Sequence, residues 1–124
     1  IAVFFELMAK DPEKNVFLTP KMKMFFSLTA ETFQNNISLL FVTMGDKKAA
    51  ATLSFLWNDT YFLYNSGFDK DCCTNAGLYL KAKSIEYALT HGIREYNFLQ
   101  GNERYKYDLG GKNFAVYSIT WDAR

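Results

Sequence analysis

Residues 59–106 decide the fold of this chain, and they read DTYFLYNSGFDKDCCTNAGLYLKAKSIEYALTHGIREYNFLQGNERYK. Two segments of this stretch, TYFLYNSGFD (60–69) and REYNFLQG (94–101), have the apolar and aromatic content of strands. The segment between them, NAGLYLKAKSIEYALTHG (75–92), has the apolar spacing of an amphipathic helix. Two strands joined through a helix of this length lie parallel, because only a crossover connection brings the second strand beside the first.

Two further strands precede this crossover, at residues 37–44 and 49–57. The turns at Gly45-Asp46 and Asn58-Asp59 carry residues that tolerate left-handed backbone, as tight hairpins require, so these strands pair antiparallel. The sequence therefore predicts an α+β fold with a mixed, mostly antiparallel sheet, one parallel β-α-β crossover and flanking helices. The change in pairing opens a cleft, and a helix N-terminus aimed into a cleft suits a phosphate-bearing ligand.

Two helices and a final strand complete the predicted fold. Residues 1–10 predict a helix that Asp11-Pro12 ends, and Thr19 caps a second helix that has Pro20 at its first position. The segment NFAVYSITW (113–121) alternates like a last strand. The residues predicted to face the core are Ile1, Phe4, Phe5 and Met8 in the first helix, Met22, Phe25, Phe26, Thr29 and Phe33 in the second, and Leu78, Ala82, Ile85 and Leu89 in the crossover helix.

The crossover helix is expected to turn its charged residues Lys81, Lys83 and Glu86 toward solvent. It ends at His91-Gly92, where the glycine permits a left-handed cap, so His91 has a structural interpretation. The run of three alanines at residues 49–51 is unusual in a strand, because alanine is depleted there. Small side chains let a helix or a ligand approach the sheet closely, and close helix packing is the favoured explanation.

Length, charge and cysteine content exclude several classes of protein. With 124 residues the chain forms one domain, and its formal charge of +1 gives no basic field for non-specific nucleic-acid binding. No apolar run reaches the length of a membrane span. The neighbouring Cys72 and Cys73 exclude a disulfide framework and lack the spacing of a metal site, so we expect a cytoplasmic protein without metal. The chain begins at Ile1 rather than Met, which we interpret as a piece of a longer protein.

Three motifs in the deciding stretch are recognisable together. Gly67-Phe68-Asp69 ends a strand, and a helix of the form L-x(6)-I-x(2)-A-x(3)-G and a motif Gly-x-Glu-x-Tyr-Lys follow it. This order resembles the GNAT acyltransferase fold, and more narrowly its CelD/FemAB-like branch, the BioF2-like acetyltransferase domains. The resemblance covers essentially the whole chain, and its last motif is the most specific. The residues that match the helix and the last motif are Leu78, Ile85, Ala88 and Gly92, and Gly101, Glu103, Tyr105 and Lys106.

The resemblance implies acyl transfer from acetyl-CoA or another acyl-CoA to an amine on a sugar, a cell-wall precursor or a polysaccharide-linked substrate. In Fem-type relatives the donor is an aminoacyl-tRNA, and two GNAT-like halves stand in tandem, of which this chain would be the C-terminal one. One alternative is therefore an aminoacyl-tRNA-dependent half that works with a missing N-terminal half, although a charge of +1 does not encourage RNA binding. Another alternative is a non-catalytic GNAT-like scaffold or binding module.

Donor binding is expected at the start of the crossover helix, where backbone N–H groups can meet a phosphate. The family places a Gln/Arg-x-x-Gly-x-Gly/Ala loop here, whereas the loop DCCTNAGLYL (71–80) has only Gly77 and no basic residue. This departure supports the scaffold alternative. The diverging parallel strands would also leave backbone groups unpaired near the donor. The donor-binding residues so predicted are Asn75, Ala76, Gly77 and Leu78 on the helix and Tyr64, Asn65 and Ser66 on the strand.

The candidate catalytic residues lie in the Gly-x-Glu-x-Tyr-Lys motif, and the candidate substrate-binding residues lie in that motif and at the end of the strand at 60–69. Glu103 is a candidate general base if burial raises its pKa, and its alternative role is to place charge at the first turn of a short helix. Tyr105 is a candidate general acid that protonates the leaving thiolate, and its alternative role is that of a packed aromatic ring. Lys106 and Asp69 are the predicted substrate-binding residues, and Asp69 also has the chemistry to order the turn after its strand.

Overall fold

The computed structural model describes residues 1–123. Three helices precede three consecutive strands, and a helix, a short strand and a last helix follow, which agrees with the predicted α+β fold. Five helices and four strands are formed in the described residues, together with one 3-10 turn at Gln34–Asn36. The helices are α1 Ala2–Met8, α2 Pro12–Phe17, α3 Pro20–Thr32, α4 Ala76–Thr90 and α5 Arg104–Asp108, and the strands are β1 Ile37–Met44, β2 Lys47–Trp57, β3 Thr60–Phe68 and β4 Glu95–Asn97.

The four strands form one mixed sheet in the order β1-β2-β3-β4. The pairs β1–β2 and β2–β3 are antiparallel, and the pair β3–β4, which α4 connects, is parallel. Both hairpin turns contain the predicted left-handed residues, with φ of 59° at Gly45, 49° at Asn58 and 58° at Asp59. The sequence-based prediction of sheet and crossover is therefore confirmed.

One face of the sheet packs on α1 and α3 through large aromatic rings. Phe4 and Phe26 are fully buried there against Ala51 and Leu53 of β2. The start of α3 is as predicted, since Thr19 Oγ1 accepts the N–H of Met22 at 3.2 Å and Pro20 follows it. The other predicted core residues of α3 are less buried, because most of that helix lies at the surface. We name this side the aromatic face.

The opposite face packs on α4 through small side chains, and we name it the small-residue face. Ala50 alternates with Ala51 along β2 and so points to this other side, where it joins Ala49, Ala76 and Leu80. The prediction that the alanine run allows close helix packing is confirmed. Gly77 belongs to the same contact, since a side-chain carbon built on it would lie 3.0 Å from the ring of Phe68.

The predicted core stripe of α4 is wrong. Leu78 and Leu89 are 47% and 73% exposed, whereas Lys81, expected in solvent, is only 8% exposed and Ser84 is fully buried. The reason is the alanine-lined strand beneath, which admits the helix only through the side that carries small residues. Bulky Leu78 and Leu89 fit better outward, and Lys81 is turned inward with the small-residue side. The crossover helix therefore buries a charged residue and exposes apolar ones.

Two predictions of extent are also wrong, and one short helix was not predicted. The strand expected at 94–101 is paired only over Glu95–Asn97, because Leu99, with φ of 59°, and Gly101, with φ of 114°, turn the backbone away. The strand expected at 113–121 has no sheet partner among the described residues, since so short a β4 offers little edge to pair with. The Asp11-Pro12 break is followed at once by α2, whose first N–H groups Asp11 caps.

Candidate functional site

The candidate site is a wedge between β3 and β4. The two strands pair at Thr60–Glu95, Tyr61–Tyr96 and Phe62–Asn97 only, and residues 63–68 of β3 have no β4 partner. The stacked rings of Tyr61 and Tyr96, with centroids 5.0 Å apart, close the apex of the wedge. The geometry predicted for a parallel pair that opens at one end is therefore present.

Along the wedge, β3 carries a bulge. The β2–β3 register shifts so that Leu53 faces Asn65 and Ser54 faces Leu63, which leaves Tyr64 as the extra residue. The ring of Tyr64 packs on Phe26, with centroids 5.7 Å apart, and is 39% exposed. The bulge interrupts the ladder at the place where backbone groups were predicted to be unpaired.

The backbone of Ser66 faces the wedge, and it is already bonded. Its N–H donates to Oδ1 of Asn65 at 2.8 Å, and its carbonyl accepts a short hydrogen bond from Nζ of Lys14, which reaches in from α2. Both groups of a residue in a strand point to the same side, so neither takes part in the β2–β3 ladder. The Ser66 backbone groups, which were predicted to be unpaired, are therefore bonded to side chains in the free chain.

The N-terminus of α4 presents open amides. Asn75 precedes the helix and makes no side-chain capping bond, while Ala76 N–H donates to the carbonyl of Cys73 at 3.2 Å. In residues 1–123, the amides of Gly77 and Leu78 have no hydrogen-bond acceptor. These two N–H groups at the positive end of the helix fit a phosphate. No basic side chain of the loop adds to them, as the sequence indicated.

The Gly-x-Glu-x-Tyr-Lys motif folds into a turn around the ammonium group of Lys106. Nζ of Lys106 donates to the carbonyl of Gln100 at 2.7 Å and lies 2.8 Å from Oε2 of Glu103. Lys106 is only 6% exposed, so its three donors are largely committed to the motif itself. The hydrogen bond from Lys106 is the main cause of a lowered pKa of Glu103. Glu103 is therefore a carboxylate at neutral pH and a weak base.

Tyr105 and Lys81 face each other at the wedge. Nζ of Lys81 lies 4.3 Å from the centre of the Tyr105 ring, a cation–π contact between α4 and α5. Burial raises the pKa of Tyr105, so its hydroxyl keeps its proton. Burial lowers the pKa of Lys81 to about 8, and the nearby positive charges of Lys14 and Lys106 add to that lowering.

Sequence reasoning missed Lys14 and Lys81. Desolvation by burial is also the main cause of a lowered pKa of Lys14. The two lysines come from helices on opposite faces of the sheet and are close enough for their charges to interact. The one sequence signal was the spacing of the small residues Ala76, Ser84 and Ala88, which places Lys81 on the buried side of α4. Lys14 left no comparable signal.

Asp69 orders the turn after β3, as its chemistry indicated. Its Oδ1 accepts the N–H groups of Asp71 at 3.0 Å and Cys72 at 3.4 Å, and its Oδ2 lies 3.3 Å from Nζ of Lys10. The hydrogen bond from Lys10 is the main cause of a lowered pKa of this carboxylate. Asp69 therefore shapes the loop that leads to the open amides of α4.

Other features of the chain have structural roles. His91 stacks on Tyr87, with ring centroids 3.9 Å apart, at the end of α4. Residues 1–123 contain no group of three or more side chains that is fit to hold a metal ion, and no helix among them is long and apolar enough to cross a membrane. A cavity of about 740 Å³ lies at the other edge of β4, between Phe98, Tyr107 and Phe114. Its lining includes β4 and Lys106 of the motif but no residue of β3 or α4.

The comparisons with known proteins agree with this geometry. The acetyltransferase (GNAT) domain family matches residues 1–107, so the chain belongs to that family and is an acyltransferase domain. Its fold is similar to that of an aminoglycoside acetyltransferase, meta-AAC0020, from an uncultured soil metagenomic sample, solved in complex with sisomicin. The TM-score is 0.64 at 15% sequence identity, over 98% of this chain and 88% of the other. No curated protein matches the chain. The family transfers acyl groups and uses acyl-CoA as donor.

Proposed function

We propose that this domain transfers an acyl group from acetyl-CoA or another acyl-CoA to an amine on a sugar, a cell-wall precursor or a polysaccharide-linked substrate. The single observation that carries the proposal is the wedge, in which β3 and β4 part after three residue pairs. The open amides of Gly77 and Leu78 stand at the adjoining helix end. A wedge with amides at its mouth suits a ligand with a linear arm and a phosphate.

In this arrangement the chain acts by holding two reactants together. Orientation of bound reactants is worth about 7–11 kcal/mol in favourable intramolecular models, which is the larger part of what direct acyl transfer needs. The hydroxyl of Tyr105 carries a proton that a leaving thiolate can take, whereas the backbone groups of Ser66 reach a ligand only if it displaces their present partners. We keep Tyr105 as the proposed acid on this ground.

Glu103 does not have the properties of a general base in the free chain. Its carboxylate is bonded to Lys106, and its pKa is lowered, whereas a general base works best with a pKa near neutrality. Glu103 therefore serves as base only if substrate binding displaces Lys106. Lys106 likewise contacts a substrate only if substrate binding separates it from Glu103. Asp69 acts on the substrate through the loop that it orders.

Titration calorimetry with acetyl-CoA tests the proposal. We expect micromolar binding to the wild-type domain, and Leu78→Glu should weaken it at least tenfold, because the new carboxylate competes for the open amides. Leu89→Glu is the matched control, since Leu89 is also exposed and lies at the far end of the same helix. This control should bind within twofold of the wild type.

Absence of binding to the wild-type domain would overturn acyl-CoA as the donor. It would favour a Fem-type half that uses aminoacyl-tRNA, or a non-catalytic scaffold, whether the domain stands alone or pairs with a further GNAT-like half. Charged-tRNA binding measured by filter retention separates those two outcomes. Turnover of Lys106→Ala checks the motif, and unchanged turnover would remove Lys106 from the site.

A further inference from the structure

The side chain of Lys81 is largely buried and has no anionic partner among residues 1–123. Lys81 is 8% exposed, and its one contact of note is the face of the Tyr105 ring, 4.3 Å from Nζ to the ring centre. Within the described residues Nζ makes no ion pair and no hydrogen bond, although this atom is not fully enclosed. A lysine is seldom buried to this extent without a partner, because removing its charge from water is costly.

The surroundings of Lys81 are positive. Lys14 and Lys106 are near enough to lower its pKa through their charges, and Glu103 is the one acid that opposes them. Glu103 already forms an ion pair with Lys106, since its Oε2 lies 2.8 Å from Nζ of that residue. Asp11 also acts on Lys14, so three ammonium groups face two carboxylates. Lys14 has a backbone carbonyl, that of Ser66, as its hydrogen-bond partner.

Lys14 and Lys81 reach the wedge from opposite sides of the sheet. Lys81 comes from α4 on the small-residue face, and Lys14 comes from α2, whose end at Phe17 packs on Phe26 of the aromatic face. Lys14 bonds the Ser66 carbonyl where β3 has lost its β4 partner, and Lys81 is near enough for the two charges to interact. A group that enters the wedge would therefore have a cation on either side.

We propose that the wedge contains a binding site for one anionic group, a carboxylate or a phosphate ester, held by Lys14 and Lys81. The assignment of this group to the acyl acceptor rests on the function proposed above. The open amides of Gly77 and Leu78 are the proposed site for the donor phosphates. Lys81 instead contacts the ring of Tyr105 on α5, which is the proposed acid. The acceptor is then an amine that also bears a negative charge.

This acceptor class differs from that of the structural neighbour. The neighbour was solved with sisomicin, a compound with several amino groups. Three lysines against the two carboxylates of Asp11 and Glu103 leave an excess of positive charge, which would repel such a polycation because like charges in a poorly solvated site are unfavourable. The fold is shared, but the charge of the wedge selects the opposite kind of acceptor.

Three amino sugars that share one amine test the site in the absence of any donor. Glucosamine has no anionic group, glucosamine 6-phosphate adds a phosphate, and muramic acid adds a carboxylate. Titration calorimetry at low salt should give at least tenfold tighter binding for one or both anionic sugars than for glucosamine. The stronger of the two identifies which anion the site takes. Equal affinity for all three sugars would overturn the proposal.

Variants of the two lysines test the assignment. Lys81→Met keeps the length of the buried stem and should reduce the preference for the anionic sugar to within about twofold, whereas Lys81→Arg should retain most of it. Lys83→Met is the matched control, since Lys83 is exposed on the same helix and pairs with Glu86 at 2.5 Å, and it should change nothing. If Lys81→Met fails to fold, Lys14→Met replaces it. A preference that survives the removal of either lysine would overturn the site.

Acetyl-CoA binding to Lys81→Met separates donor from acceptor. Affinity within threefold of the wild type supports the acceptor assignment, and a tenfold loss would overturn it by assigning the anion to the donor. If the wild type does not bind acetyl-CoA at all, the proposed function fails. The sugar preference measured without donor still decides the anion site in that case.

Discussion

The two faces of the sheet are built from different side chains, and they serve different purposes. On the aromatic face, Phe4 and Phe26 fill the space between helices and sheet. On the small-residue face, Ala50 and Ala76 bring α4 close to the sheet, and the same helix buries Lys81. Apolar area removed from water is the main source of stability. The aromatic face therefore supplies more of the stability, and the small-residue face has less apolar contact and carries a largely buried lysine.

The N-terminal ends of the helices also differ between the two faces. On the aromatic face, Asp11 caps α2 and Thr19 caps α3 through their side chains. On the small-residue face, Asn75 leaves the first amides of α4 open. Satisfied amides add to stability, and open ones are available to a ligand. Four predictions test this division.

The largest effect is expected on the aromatic face. Phe26 is 1% exposed and touches the rings of Phe4, Phe17 and Tyr64, so Phe26→Ala leaves a cavity. We expect the free energy of unfolding to fall by about 3–5 kcal/mol in urea titrations. The control Phe25→Ala, at a residue that is 52% exposed, should cost less than about 1 kcal/mol. Similar losses for both variants would contradict the division.

The second effect is expected on the small-residue face. Ala50→Leu adds bulk where Ala76 and Leu80 approach the strand, and overpacking of this kind costs about 1–3 kcal/mol. The variant should also weaken acetyl-CoA binding, because α4 and its open amides must move outward. Ala82→Leu, on the exposed side of α4, is the control for both measurements. An Ala50→Leu variant with wild-type affinity would show that the position of α4 is not critical.

The third effect is a pH dependence from Lys81, which Lys14, Lys106, Glu103 and Tyr105 surround. Its pKa is lowered from 10.5 to about 8 in the folded chain, so the unfolded chain binds more protons between those values, and stability rises with pH there. From about pH 7 to about pH 9, the wild type should gain roughly 1.5 kcal/mol relative to Lys81→Met. Urea titrations at the two pH values measure it. Parallel behaviour of the two proteins would show that Lys81 is solvated.

The smallest effect concerns the helix ends. Thr19→Ala removes the bond to the Met22 amide and should cost about 1 kcal/mol, whereas Asn75→Ala, which removes no capping bond, should cost a few tenths at most. Thermal unfolding of both variants measures the difference. An equal loss at the two positions would mean that Asn75 caps α4 in solution.

The parts of the fold that local signals determine were predictable from the sequence. The hairpin turns, the Thr19-Pro20 helix start and the crossover helix each depend on neighbouring residues. The last strand was not predictable, because alternation at 113–121 indicates a strand only where a free edge accepts it, and β4 is three residues long. Strand length depends on the partner rather than on the segment itself.

The candidate site was predictable in position but less so in chemistry. The wedge follows from the crossover topology, and the motif around Lys106 was visible as a motif. The orientation of α4 could not be predicted. Leu78 and Leu89 form an apolar stripe, but they lie on the exposed side of the helix. The small side chains of the alanine-lined strand determine which side of α4 packs on the sheet. The charges of Lys14 and Lys81 interact although the two residues are distant in the sequence. No local pattern encodes such an interaction.

The place where the β3–β4 ladder stops also limits the length of a ligand in the wedge. Beyond the Phe62–Asn97 pair, β3 continues for residues 63–68, which span about 20 Å at roughly 3.3 Å per residue. Behind that point the stacked Tyr61 and Tyr96 form a wall, and Ser84 Oγ holds the Tyr96 hydroxyl at 2.7 Å. A straight molecule longer than about 20 Å must therefore leave its far end in solvent.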